Sequence, residues 1–196
     1  MALLGAGGKM SPRGIAGVAL LYKILGAACK QGLDLDEVHA LGLKVLAQTF
    51  TFGVAMEACS LPGKGKGHSL AADEIEIGMG IHGEKGREVT KWMKSADLVA
   101  LLLSDLKKHY GKGELVVMVN NLGSVTALEM SLLVNDVLQW FEHSDDTVVR
   151  LVSGTVVGAL NMNGISLTVL NASDLKVLDA VDLPVTTPFW PKVCKV

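Results

Sequence analysis

Residues 74–81 read E-I-E-I-G-M-G-I, a strict alternation of apolar side chains with Glu and Gly. Successive side chains of a strand point to opposite faces, so a period of two demands a β-strand with one apolar side. A helix would split Ile75, Ile77, Met79 and Ile81 between two opposite sides, where no single partner could cover them. Ile165, Leu167 and Val169, alternating with Ser166 and Thr168, make the same demand. The chain must build a sheet, and a sheet needs other elements to cover its apolar face.

Helical segments can supply that cover. Residues 15–28 are rich in Ala, Leu and Ile and stop before Gly32. Asp34 precedes Glu37 by three residues, an acidic relative of the capping box. Leu35, Val38, Leu41, Val45 and Leu46 follow at helical spacing. Ser95 is placed to cap a third helix carrying Leu98, Val99, Leu102 and Leu106, and a long helix is expected over 126–141. Residues 115–119 suit a buried strand and 147–152 another, while Ser173 is placed to cap a short helix over 174–179. Residues 50–59 are mixed and read as an irregular or strand-like crossing. The P-G-K-G-K-G run at 62–67 is a loop, and a tail with Pro184, Pro188 and Pro191 should be irregular. The expectation is one α+β (mixed α/β) domain, a single mixed sheet packed against helices.

Composition narrows the function. Hydrophobic residues make up 49% of the 196 residues, ample for a core. Eighteen Lys and Arg stand against 20 Asp and Glu, for a net charge of −2. Such a balance offers no footprint for nucleic acid or an anionic membrane surface, and 5% aromatics argue against a base-stacking platform. The longest apolar stretch, 14–29, is interrupted by Lys23 and is too short to span a bilayer. Without a basic leader region, a cytoplasmic protein is expected. Cys29, Cys59 and Cys194 are odd in number and lack C-x-x-C spacing, so free thiols are expected. His39, His68, His109 and His143 lack metal-ligand spacing, and the G-A-G-G-K run at 5–9 lacks the spacing of a phosphate loop. No metal or cofactor site is expected in the chain.

Chemistry concentrates where the alternation ends, at E-I-E-I-G-M-G-I-H-G-E over 74–84. If the strand persists, Glu74, Glu76, Gly78, Gly80 and His82 share one face. Glycine weakens a strand, so Gly78 and Gly80 suggest close approach by a ligand or another backbone. His82 would then be displayed at the strand's exit. From spacing alone, a hydrogen-bonded turn histidine is the plainer reading. Asn120, Asn121, Leu122, Gly123 and Ser124 lie between a strand and a helix and could present amides to an anion. Their plainer reading is a turn, with Ser124 as the helix cap.

Five blocks taken in order point to a family. They are R-G-I-A-G at 13–17, C-S-L-P-G at 59–63, G-M-G-I-H-G-E at 78–84, V-N-N-L-G at 119–123 and M-N-G-I-S-L-T at 162–168. The series resembles the second half of the substrate-binding domain of dihydroxyacetone (glycerone) kinases, over residues 12–193. It leaves 1–11 as an unmatched N-terminal segment and makes 12–196 that half-domain. The resemblance implies that His82 attacks the ketone carbon of dihydroxyacetone and holds it as a covalent hemiaminal, with Gly78 and Gly80 supporting the pocket. Phosphoryl transfer would then give dihydroxyacetone phosphate. The chemistry suits an imidazole, which can be neutral and nucleophilic near pH 7.

The same resemblance implies dihydroxyacetone or a similar short-chain ketone or aldehyde as ligand, and a homodimer as a further partner state. ATP and Mg would belong to a separate nucleotide-binding domain, and a preceding half-domain would complete the pocket, each in cis or in trans. The family's Gly-Ser-Gly-His sequence does not occur in these 196 residues. Ser124 stands where a second glycine is usual, and Asn161 and Asn163 flank Met162 where an acid and a proline are common. The isolated chain is therefore expected to be an inactive kinase module. The alternative is a non-catalytic, truncated relative acting in binding or dimerisation.

Overall fold

The computed structural model describes residues 14–63, 65–66, 70–82 and 84–196. The first eleven residues, the run at 5–9, and Lys64, Gly67, His68 and Gly83 lie outside the described residues.

In chain order the elements are α1 (Gly17–Lys30), α2 (Leu35–Ala47), β1 (Thr49–Glu57), β2 (Ser60–Leu61), β3 (Gly65–Lys66), β4 (Glu74–Ile77) and β5 (Glu88–Lys91). There follow α3 (Ser95–Lys107), β6 (Glu114–Asn121), α4 (Ala127–Glu142), β7 (Thr147–Gly154), β8 (Asn163–Asn171), α5 (Leu178–Asp182) and β9 (Cys194–Lys195). Seven strands form one sheet in the order β5-β4-β1-β8-β6-β7-β9, and β2 pairs with β3 in a separate ribbon. Neighbours are antiparallel except β6 and β7, which are parallel and joined through α4. The fold class is α+β, with one mixed sheet and helices on both faces.

Two cores flank the sheet. On one face, Leu98, Leu102 and Leu106 of α3 and Val137 of α4 meet Phe52, Ile77, Val117 and Leu167. On the other, Leu20 and Ile24 of α1, Val45 of α2 and Val181 of α5 meet Ala55, Val116, Met118 and Leu170. Strands β1, β8 and β6 sit at the centre and are buried on both faces, which explains their long apolar runs. The mixed pattern at 50–59 is thus a central strand. Its buried Thr51 is satisfied within the sheet, donating to the Leu167 carbonyl at 3.2 Å and accepting from the Thr168 hydroxyl at 2.9 Å.

The Asp34 signal places the start of α2, and the other expected caps shift. Asp34 accepts from the Glu37 N–H while Glu37 accepts from the Asp34 N–H, both at 2.9 Å, a complete capping box. Thr126 and Glu129 form a second box at the start of α4, so Ser124 is not its cap. Ser95 is likewise the first residue of α3, with Lys94 in the cap position. Residues 174–177 lie outside any helix, and α5 begins at Leu178. The Ser173 hydroxyl is engaged elsewhere, accepting from the Glu114 N–H at 2.8 Å and donating to Asn171 Oδ1 at 2.9 Å.

The largest departure is at the alternating segment. Strand β4 ends at Ile77, four residues short of the expected end. Gly78 takes φ +82°, which only glycine adopts without strain, and its N–H donates to the Gly53 carbonyl at 2.7 Å. Arg87 then returns beside the strand end, its N–H on the Ile77 carbonyl at 2.7 Å. Gly78, Gly80 and His82 therefore belong to a loop and do not continue the face of Glu74 and Glu76. Among the described residues no helix is long and apolar enough to cross a membrane.

Candidate functional site around His82

The loop between β4 and β5 is anchored on both faces of the sheet. Met79 is buried in the core with α1, and Ile81 packs beside it. On the opposite side, Arg87 reaches α3 and donates to Asp105 at 2.6 Å, with its guanidinium 4.9 Å from the Phe52 ring centroid. Partial burial works against the Arg87 charge, but the Asp105 and Glu88 carboxylates outweigh it and raise its pKa. Underneath, the buried Glu76 carboxylate accepts the Gly86 N–H. A Cβ on Gly86 would lie 2.6 Å from the Ile77 carbonyl oxygen, so the return of the loop requires glycine there.

His82 stands at the tip of this anchored loop with 79% of its side chain exposed. Its N–H donates to Glu84 Oε2 at 2.9 Å, and its ring Nδ1 lies 3.5 Å from Glu84 Oε1. The Gly80 N–H donates to the Glu84 carbonyl at 3.2 Å, closing the turn. Burial alone would push the Glu84 carboxyl up. The backbone N–H groups of Glu84 and His82, together with the imidazole, reverse that and hold it below its ordinary range. The result is an exposed imidazole on a fixed base, with one ring nitrogen turned to a carboxylate.

The two glycines before His82 make room for the chain itself. A Cβ on Gly80 would lie 2.7 Å from Glu84 Cδ, and one on Gly78 would lie 3.3 Å from both the Arg87 nitrogen and the Phe52 ring. Sequence reasoning singled out His82 but assigned no role to Glu84 or Arg87. The H-G-E spacing was the available signal for Glu84, since a turn brings residues i and i+2 together. Nothing local announced Asp105 as the partner of Arg87, 18 positions away.

The asparagine block is structural. Asn120 Oδ1 accepts the N–H groups of Val156 and Val157 at 2.9 Å, while its amide donates to the Val157 carbonyl and the Ser166 hydroxyl. Asn121 folds over its own turn, accepting from Gly123 and Val125 and donating to the Val125 carbonyl. Gly123 bridges Met162, and the Leu122 N–H donates to the Gly164 carbonyl. Asn161 accepts the Ser60 N–H at 2.7 Å, tying the C-S-L-P-G block to the M-N-G-I-S block. The motif blocks meet to build the frame, and His82 is exposed at its surface. Cys29, Cys59 and Cys194 are unpaired. Among the described residues no group of three or more His, Cys, Asp or Glu side chains could hold a metal ion.

Residues 2–189 match the Dak1 domain. The chain belongs to the dihydroxyacetone kinase family. It is 40% identical over 182 residues to the dihydroxyacetone-binding subunit DhaK of a PTS-dependent dihydroxyacetone kinase from Listeria innocua, covering 91% of this chain and 55% of that subunit. It is 34% identical over 183 residues to the DhaKLM operon coactivator DhaQ of Lactococcus lactis, covering 91% of this chain and 56% of the coactivator. The crystal structure of the dihydroxyacetone kinase of C. freundii superposes with a TM-score of 0.90 at 31% identity, over 99% of this chain and 36% of that one. The chain thus spans about half the length, or less, of these family members.

Proposed function

We propose that this member of the dihydroxyacetone kinase family is the part of a substrate-binding unit that holds dihydroxyacetone, or a similar short-chain ketone or aldehyde, on His82. The observation that carries the reading is the exposed His82 imidazole on a loop anchored to both faces of the sheet. A neutral ring nitrogen adds to the ketone carbon, and the hemiaminal fixes a small substrate that offers few other handles. Glycerol, which has no carbonyl, is refused on chemical grounds. Gly78 and Gly80 support the pocket by letting Arg87 and Glu84 close under the histidine. The phosphoryl donor comes from elsewhere: ATP and Mg are held by a nucleotide-binding unit, and a further half-domain completes the pocket, in cis or in trans. The module works in the cytoplasm, and pairing with a second copy fits the same reading.

The test is an adduct. Dihydroxyacetone labelled with ¹³C at the carbonyl is added to the chain, alone and joined to the earlier half of a family substrate domain. A tetrahedral carbon signal and a mass gain of one intact dihydroxyacetone are expected in the joined form. Loss of water would instead mark a lysine Schiff base, which borohydride traps. His82→Ala should abolish the adduct and leave the fold intact. An adduct that maps to lysine, that survives His82→Ala, or that never forms in the joined protein overturns the reading.

A second reading draws on the Lactococcus lactis relative, whose name is that of a coactivator. In it the chain binds or dimerises without catalysis. Adduct formation with no phosphorylation, even when a family nucleotide-binding subunit and ATP are supplied, would favour it.

A further inference from the structure

We propose that the cavity between α3, α4 and the sheet is a binding site for a small neutral organic molecule, one with an apolar body and a single carbonyl or hydroxyl oxygen. The cavity measures about 150 Å³. Buried Ile75, Leu98 and Ile165 form its floor, and exposed Trp92 and Leu132 stand at its rim. No described residue of the β4–β5 loop lines it, so the site is separate from His82. Small-molecule sites combine such apolar walls with a few placed polar groups that fix the ligand's orientation.

One polar group belonging to this wall lacks a partner. Ser95 lines the cavity at the start of α3, and its hydroxyl is buried and makes no hydrogen bond. Among the described residues, no other buried side-chain nitrogen or oxygen is left without a partner. Buried polar groups are almost always paired, so the exception beside a cavity points to an atom supplied from outside. Because the hydroxyl donates to nothing in the free protein, turning it to a ligand oxygen breaks no existing bond. A lone water suits the place poorly, since it needs several polar partners and the walls around Ser95 are chiefly Ile, Leu, Val and Met.

Size and charge narrow the ligand. A cavity of this volume with aliphatic walls takes a molecule about as large as benzene. Met56 and Met93 are unbranched and adaptable, so a ring or a short chain can be accommodated. Glu129 also lines the cavity, with its carboxylate accepting from the Thr126 hydroxyl at 2.7 Å and the Thr126 N–H at 2.8 Å. Those two bonds hold the carboxyl below its ordinary range, and the negative charge beside the cavity repels an anionic ligand. Dihydroxyacetone carries an oxygen on every carbon and has no apolar body to bury. The ligand is therefore not the substrate proposed for His82, and the two readings stand or fall separately.

Three probes of similar size test the assignment on the full chain, read by methyl and indole NMR without dihydroxyacetone. Acetophenone is neutral with one carbonyl, ethylbenzene has no oxygen, and benzoate is an anion. Acetophenone should shift the methyl signals of Ile75, Leu98 and Ile165 and the indole signal of Trp92, and the shifts should saturate. Ethylbenzene should bind about fivefold more weakly for want of the hydrogen bond, and benzoate about fivefold more weakly because of Glu129. Ser95→Ala should bring acetophenone down to the affinity of ethylbenzene. Its midpoint in urea should not fall, because the hydroxyl removed had no partner. Glu129→Gln, which keeps the capping box of α4, should bring benzoate closer to acetophenone.

Acetophenone shifts that fail to saturate, or that fall on residues away from the cavity, overturn the inference. So does a Ser95→Ala chain that binds acetophenone as tightly as before, or one whose urea midpoint drops. Benzoate binding as tightly as acetophenone overturns it as well. Cavity signals that move with protein concentration alone would give the cavity to a second copy of the chain, and that result also overturns the inference.

Discussion

The Glu84 carboxylate lies across Gly80, and the fit exists only because Gly80 has no side chain. A Cβ at position 80 would come within 2.7 Å of Glu84 Cδ. The displaced group would be the end of a flexible side chain, so Gly80→Ala should fold. It should nevertheless cost about 1 kcal/mol, because the His82 N–H loses its carboxylate acceptor. Urea denaturation checks the stability, and amide hydrogen exchange at His82 should accelerate. An unchanged midpoint with unchanged exchange would contradict the expected displacement.

Gly78 and Gly32 both adopt positive φ, at +82° and +91°, but only Gly78 is crowded. Each Gly→Ala change forces a left-handed backbone on an alanine, at a cost of about 1–2 kcal/mol. At Gly78 the new methyl also meets the Arg87 nitrogen and the Phe52 ring at 3.3 Å, whereas at Gly32 it meets nothing within 4 Å. Gly78→Ala should therefore be the more destabilising of the two in paired urea melts. Equal losses would mean that the loop yields freely around position 78.

Asn120 is fully buried and makes four hydrogen bonds to the 156–157 segment and to Ser166. Asn120→Ala leaves buried partners unsatisfied and should cost about 2–4 kcal/mol. A residue held in reserve for a ligand would cost little when removed from the free protein. Chemical denaturation of the unliganded chain separates the two cases.

Arg150 grips Asp182 through two hydrogen bonds of 2.7 Å, joining β7 to α5. The guanidinium, ahead of the opposing effect of burial, holds the Asp182 carboxyl below its ordinary value. A depressed folded-state pKa gives stability that is present in full above the unfolded value, about 3.9, and is lost as pH falls through the folded one. The unfolding temperature should therefore drop on acidification below about pH 4, and Asp182→Asn should flatten that part of the profile. Identical acid profiles for the two proteins would remove Asp182 from the account.

Much of the frame can be read locally. The Asp34–Glu37 box, the alternation at Glu74–Ile77, the apolar run in β6 and the Ile165–Val169 alternation each carry their own physical cause within a few residues. Where the reading slipped, a distant group had intervened. Ser173 was available to cap a helix but is held by Glu114 and Asn171. Residues 78–81 keep the period of a strand, yet after a last bond from the Gly78 N–H to Gly53 the backbone turns at φ +82° and Arg87 returns onto the Ile77 carbonyl. The mixed segment of β1 became the most enclosed kind of strand because Leu167 and Thr168, more than a hundred residues on, satisfy Thr51.

By itself the sequence determined that there is a sheet and that helices cover it. Side-chain period, capping residues and motif spacing act over a few positions, and a linear chain displays them openly. Only the tertiary structure decided that His82 sits on a loop and not a strand. The same folding made Glu84 and Arg87 the residues that hold the loop, and used Asn120 and Asn121 inside the frame. Those outcomes depend on which hydrogen-bonding groups meet once the strands are side by side. A buried N–H or carbonyl takes the partner that folding brings to it, and the order of residues along the chain does not name that partner.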